Sequence, residues 1–99
     1  MGYYGEGVLW YNKALELQEE ANALPYSEYK KYDELQEQLK ASLKSAIEPF
    51  EKCFEISSND AVKTNVADYL KRIYFIFRNE SAENKANYEK YEAYLQGAK

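Results

Sequence analysis

Apolar side chains recur every three or four positions along nearly the whole chain, a period that predicts helices rather than strands. The first helix is expected from about Glu6 to Leu24. Val8, Tyr11 and Leu15 form one row, and Trp10, Ala14, Leu17, Ala21 and Leu24 a second beside it. Two adjacent rows make a wide stripe, which suits a helix packed against two neighbours. Pro25 ends this helix, because the residue before a proline is pushed out of the helical region. A second helix is expected from Ser27, read as its N-cap, to about Ser57. Tyr32, Leu35, Leu39, Leu43, Ala46, Ile47, Phe50, Cys53 and Phe54 form one unbroken stripe along it. Pro49 interrupts the backbone pattern by removing the hydrogen bond to the Ser45 carbonyl. The reading is a long helix kinked near Ser45 to Pro49, the alternative a break into two helices.

Ser57-Ser58-Asn59-Asp60 is the clearest punctuation, since these side chains compete with helix by bonding their own backbone. Ser57 and Asp60 have the spacing of a weak capping box for the next helix. The third helix is expected over Asp60 to Arg78. Val62, Val66, Tyr69, Leu70, Ile73, Tyr74, Ile76 and Phe77 make it the most apolar, hence the central and most buried. After a turn at Arg78 to Ser81, a fourth helix runs to about Gln96, carried by Ala86, Tyr88, Tyr91, Ala93, Tyr94 and Leu95. Gly97 is read as its C′ residue. Residues 1–7 are expected to be a flexible N-terminus and 97–99 a frayed C-terminus. Glu48–Lys52 and Asp68–Arg72 have ion-pair spacing, worth about 0.3–0.5 kcal/mol each. Short connections force consecutive helices to lie antiparallel and adjacent. The expected fold is all-α, a single domain over 1–99, built as two stacked helix pairs or as a four-helix bundle.

Composition sharpens this picture. With 45% hydrophobic and 30% charged residues, 99 residues can bury a modest core. The net charge of −4 comes without a Lys/Arg run, so nucleic-acid binding has no electrostatic basis. Histidine is absent, which removes the usual general base and the usual zinc ligand. The longest apolar run, Ile73 to Phe77, is too short to span a bilayer, and the residues after Met1 do not read as a signal peptide. A soluble chain is expected, cytoplasmic by default and periplasmic if it is processed from a longer one.

Candidate chemistry is sparse. Cys53, the only cysteine, lies on the apolar stripe beside Phe50 and Phe54 and reads as a buried structural thiol. Glu19-Glu20 and Asp33-Glu34-Glu37 read as solvated helix surface rather than metal or acid/base sites. Asn79-Glu80-Ser81 matches a glycosylation sequon at chance level, and no Gly-rich phosphate loop or calcium loop occurs. No catalytic residue, metal site or cofactor is expected, and the chain is read as not an enzyme. The eleven tyrosines are the second notable feature. They cannot all be core, because each hydroxyl needs water or a partner. One reading is a tyrosine-lined groove for a partner, with Tyr26, Tyr29, Tyr88 and Tyr91 as the exposed candidates. The other places tyrosines at helix borders with hydroxyls in solvent.

The segment Ala46 to Asp60 resembles the second helix of a tetratricopeptide repeat (TPR) and the turn after it. That helix reads small–x3–aromatic–x2–small, and Ala46, Phe50 and Cys53 stand at those positions. Ser57-Ser58 replaces the proline usual in the turn. The order of segments is similar to that of bacterial TPR-like proteins. Tyr11-Asn12-Lys13 comes first, then Glu20-Ala21-Asn22-Ala23-Leu24-Pro25 and a long second helix. Asn65 to Tyr74, with Ala67 at a small position, looks like the next repeat's first helix, and Tyr88-Glu89-Lys90-Tyr91 like a closing helix. The likeness covers roughly residues 8–95 and departs in Ser27–Leu43, which exceeds a standard repeat of about 34 residues. The resemblance implies an α-α superhelix fragment that holds a peptide or partner protein on a concave face. It implies packing roles, not binding roles, for Ala46, Phe50, Cys53 and Ala67. About two helix pairs fall short of the three or so repeats that normally close a solenoid core. The alternative role is therefore structural, as a homodimer or a capping fragment of a longer repeat protein.

Overall fold

The structure, a computed structural model, describes residues 2–97. Four helices follow in order: α1 (Tyr3–Asn22), α2 (Tyr29–Ile56), α3 (Asp60–Phe77) and α4 (Ala82–Gly97), with no strand among the described residues. The all-α reading with four helices holds.

The turns explain where the helices begin. The Glu28 amide donates to the Pro25 carbonyl at 2.9 Å, closing a turn over Pro25 to Glu28. That turn moves the start of α2 past Ser27, so Glu28 is the N-cap, without a side-chain hydrogen bond. At the next junction Asn59, rather than a Ser57–Asp60 box, caps α3. Its side-chain oxygen accepts from the amides of Ala61 at 2.9 Å and Val62 at 3.2 Å. Ser57 instead accepts from the Asn59 amide at 3.2 Å and shapes the turn. The Ser81 hydroxyl accepts from the Asn84 amide at 3.1 Å and so caps α4. Gly97 is the last helical residue, not a left-handed C′ residue; no described residue has positive φ. Residues 98 and 99 lie outside the described residues.

α2 runs unbroken through the buried Pro49. The Ser45 hydroxyl donates back to the Ala41 carbonyl at 3.0 Å one turn earlier. Of the two expected ion pairs, Asp68–Arg72 closes at 3.1 Å. Glu48 and Lys52 form none among the described residues; the Lys52 ammonium lies 5.9 Å from the Tyr3 ring centre.

Residue pairs across the helices show antiparallel packing of each helix on the next. Along α1 and α2, Gln18 meets Gln36, and Gly7 meets Phe50. Along α2 and α3, Phe50 stacks on Tyr69 and Lys44 pairs with Phe77. Along α3 and α4, Phe75 meets Tyr88, and Asn84 reaches the Phe77 carbonyl. α2 has 28 residues, about 42 Å of helix, against 18 residues and about 27 Å for α3. α3 ends beside Lys44, where the ammonium approaches Glu80 at 3.4 Å. Past Leu39, which still lines a cavity with Ile76 of α3, α2 runs on to Tyr29 beside α1. The α1–α2 hairpin therefore overhangs the rest of the molecule, whose longest dimension is 48 Å.

All four packing positions, Ala46, Phe50, Cys53 and Ala67, are buried. α3 buries Val66, Ala67, Leu70, Ile73, Tyr74 and Phe77, yet Phe75 and Ile76 are about half exposed, so its centrality is one-sided. The N-terminus departs most from expectation. Tyr3 to Gly7 form the first turns of α1, and Gly7 is buried. A Cβ built on Gly7 would lie 2.5 Å from two Phe50 ring carbons. Glycine has no side chain to mark it as a contact in the apolar pattern, yet here its absence lets α1 touch Phe50. Gly7→Ala gains about 1 kcal/mol in helix propensity, but the overpacking costs about 1–3 kcal/mol. Phe50 cannot yield freely because its other face lies against Tyr69, 4.8 Å between centres. The expected result is a melting temperature lowered by several degrees; an unchanged or raised one would show that the ring shifts at no cost.

Candidate functional site

Most tyrosines fill seams between helices. Tyr69 of α3 receives the edges of Tyr4 and Tyr11 from α1, at 6.4 and 4.8 Å between ring centres. Phe54 of α2 meets Tyr91 and Tyr94 of α4 at 5.4 and 5.0 Å. These rings join helices that are not consecutive, α1 to α3 and α2 to α4.

The four candidate tyrosines divide. Tyr26 is fully exposed and Tyr29 is 64% exposed, both at the α1–α2 turn. Tyr88 is half-buried, its hydroxyl donating to Glu92 at 2.7 Å and its ring 5.4 Å from Phe75. Tyr91 corrects the expectation of exposure: it is 1% exposed and its hydroxyl donates to Glu51 at 3.3 Å. Only Tyr26 and Tyr29 share a cavity. Tyr91 was hard to place because α4 has no strong apolar face of its own. Its burial comes from Phe54 and Tyr74 on two other helices.

Burial shifts several groups away from reactivity. It is the main cause that pushes the Tyr74 and Tyr91 hydroxyls well above the usual phenol range, and the nearby Glu51 carboxylate pushes the same way. Burial likewise raises the Cys53 thiol, so this side chain packs as a thiol rather than a thiolate. The carboxylates of Glu19, Glu20, Asp33, Glu34 and Glu37 are all exposed. No group of three or more Cys, Asp or Glu able to hold a metal ion occurs among the described residues. No described helix is long and apolar enough to cross a membrane.

What the fold does build is a trough along the overhanging hairpin. At the tip lies a cavity of about 550 Å³, walled by Tyr26, Tyr29 and Tyr32, with Ala21, Asn22, Leu24 and Pro25 completing it. At the other end, where α3 stops, a cavity of about 220 Å³ lies among Tyr11, Ala14, Leu15, Gln18, Leu39, Leu43 and Ile76. Between them Gln36 of α2 donates to Gln18 of α1 at 3.4 Å, and Gln18 donates to Asn22 at 2.9 Å. Neither cavity has a charged side chain in its wall, although 30% of the chain is charged. Three other surface depressions contain charge: Glu6, Glu48 and Lys52 in one, Lys13 and Glu16 in another, Asp60 in a third. Tyr32, Leu15 and Ile76 are half-exposed members of this trough or its rim that the apolar pattern assigns to helix packing. The pattern detects an apolar stripe but does not report where the neighbouring helix stops.

Comparison with known proteins found no matching protein-family model and no significant match among curated proteins or solved structures.

Proposed function

We propose that this chain is a non-enzymatic, TPR-like interaction module that docks a protein or peptide in the uncharged trough of the α1–α2 hairpin. The observation that carries the reading is the trough itself: two adjoining cavities without a charged wall residue, one rimmed by three exposed tyrosines. Tyrosine combines a rigid apolar face with a polar tip, and such rings dominate binding energy where a partner excludes water. The uncharged walls suit an apolar or amide-rich partner. The TPR-like part rests on the sequence resemblance. Helix-on-next-helix packing and the burial of Ala46, Phe50, Cys53 and Ala67 support it.

The direct test is selection of a displayed peptide library on the whole chain, followed by binding measurements on variants. Replacement of a central aromatic anchor costs about 2 kcal/mol or more at such surfaces, about 30-fold in affinity. Tyr29→Ser and Tyr32→Ser are expected to weaken the selected peptides by at least about tenfold. Tyr88→Ser, on the other helix pair, is expected to leave them unchanged. Binders indifferent to Tyr29 and Tyr32 would overturn this placement of the site.

A further inference from the structure

We infer that the occupant of the trough is a basic amphipathic segment of another protein. It sets apolar or amide side chains on the trough floor and a Lys or Arg head among Tyr26, Tyr29 and Tyr32; this rests on reading the trough as a docking surface. Charge selects the sign of the partner. Between Glu16 and Lys40, the overhanging end of the hairpin, seven exposed carboxylates stand against three exposed lysines. The other ten acidic residues of the chain are matched by ten basic ones, so the net charge of −4 resides on this end. None of the seven is neutralised from within: the ion pairs among the described residues, Lys44–Glu80 and Asp68–Arg72, lie elsewhere. The helix period sets three of these carboxylates along the trough. On α1, Glu19 follows Gln18 and stands one turn beyond Leu15. On α2, Asp33 stands one turn beyond Tyr29, and Glu37 one turn further, next to Gln36. An uncharged cleft bordered by one sign of charge concentrates that field and draws in the opposite ion.

The rings give a second, independent reason. An aromatic face attracts a cation held within about 6 Å of its centre. Elsewhere the chain supplies such cations itself. Lys13 lies 5.5 Å from the centre of Trp10, Lys52 5.9 Å from that of Tyr3, and Arg78 3.8 Å from that of Phe75. Among the described residues no Lys or Arg lies over Tyr26, Tyr29 or Tyr32, although Lys30 and Lys31 separate the last two in sequence. The three rings line one cavity of about 550 Å³ whose wall holds no cation. A partner's Lys or Arg therefore meets aromatic faces that the chain leaves uncovered, within the acidic field of the same hairpin end. An acidic partner, or a second copy with the same −4, would bring like charges together here.

The test takes peptides selected from a displayed random library on the whole chain, at about 0.15 M salt, and measures them free in solution. They are expected to carry net positive charge with apolar residues interleaved. Replacing their Lys and Arg by Gln, or raising the salt to about 1 M, is expected to weaken them at least about tenfold. Asp33→Asn/Glu37→Gln is expected to weaken them about threefold or more. Glu55→Gln/Glu89→Gln removes equal charge at exposed positions away from the trough and is expected to change them less than about twofold. Tyr29→Leu, which keeps apolar area but loses the aromatic face, is expected to cost about threefold, and Tyr29→Phe to retain binding. Circular dichroism melting confirms that these surface variants remain folded. Neutral or acidic binders that still need Tyr29 and Tyr32 overturn the cationic occupant and leave the docking surface standing. Basic binders that weaken equally with both carboxylate variants overturn it too, since that is general attraction to an acidic chain. A two-chain mass in sedimentation equilibrium that Tyr29→Ser abolishes makes a second copy the occupant and overturns the inference. If no binder depends on Tyr29 or Tyr32, both readings fail.

Discussion

Phe50→Ala is expected to remove about 3–5 kcal/mol of stability, out of the roughly 5–15 kcal/mol typical of a domain. Phe50 is fully buried and lies where three helices meet. Its ring stacks on Tyr69 of α3 at 4.8 Å and takes the edge of Tyr4 at 6.4 Å. The α1 backbone at Gly7 presses on its other side. Truncation removes dispersion contacts on every face at once, and backbone on one side limits how far the cavity can collapse. At about 4–8 °C per kcal/mol for a domain of this size, the melting temperature should fall by at least about 12 °C. Denaturant titration should show the same loss as a shifted midpoint. A loss below about 1 kcal/mol would mean that the helices close over the gap and that the junction is not organised around this ring.

Alkaline solution is expected to destabilise this protein by ionising two buried phenols. Tyr74 and Tyr91 are buried, stacked at 6.1 Å between ring centres, and beside Glu51. Burial first, and the Glu51 carboxylate second, raise both hydroxyls far above the ordinary phenol value of about 10. A raised folded-state value means that the native protein keeps protons the unfolded chain releases. Their contribution is therefore fully present below about pH 10 and is lost as the pH climbs towards the folded-state values. Each such proton contributes a slope of about 1.4 kcal/mol per pH unit, so the pair approaches about 2.7. Unfolding by urea at a series of pH values from 8 to about 12 reads this slope. The Tyr74→Phe/Tyr91→Phe variant keeps the lysines and removes the two phenols, and its profile should be flatter above about pH 10. Coincident profiles would show that neither hydroxyl is kept protonated by the fold.

What was legible in the sequence follows local chemistry. Pro25 acts on the residue before it, and the side chains of Ser57 and Asn59 act on amides within three residues. The helix junctions accordingly fall within about three residues of their expected places. Ala46, Phe50, Cys53 and Ala67 were legible because buried positions on one helix face repeat with the helix period. The Asn59 cap and the shifted start of α2 were harder, since several neighbouring residues offer the same chemistry and the turn geometry selects one.

The candidate site was only half legible. Tyr26 and Tyr29 stand out because they lie in and just after a proline-marked turn. Tyr91 misled because its own helix is weakly amphipathic, and the groups that bury it lie 37 and 17 positions away, at Phe54 and Tyr74. By itself the sequence determined four helices, their connections, their core faces and the absence of histidine chemistry, since each depends on residues close in the chain. Only the tertiary structure decided that α1 and α2 outrun α3, that Gly7 is a contact, and that an uncharged trough is left open beyond the end of α3. Those features depend on where a helix stops in space relative to its neighbours, and a pattern of apolar residues along one chain carries no record of that.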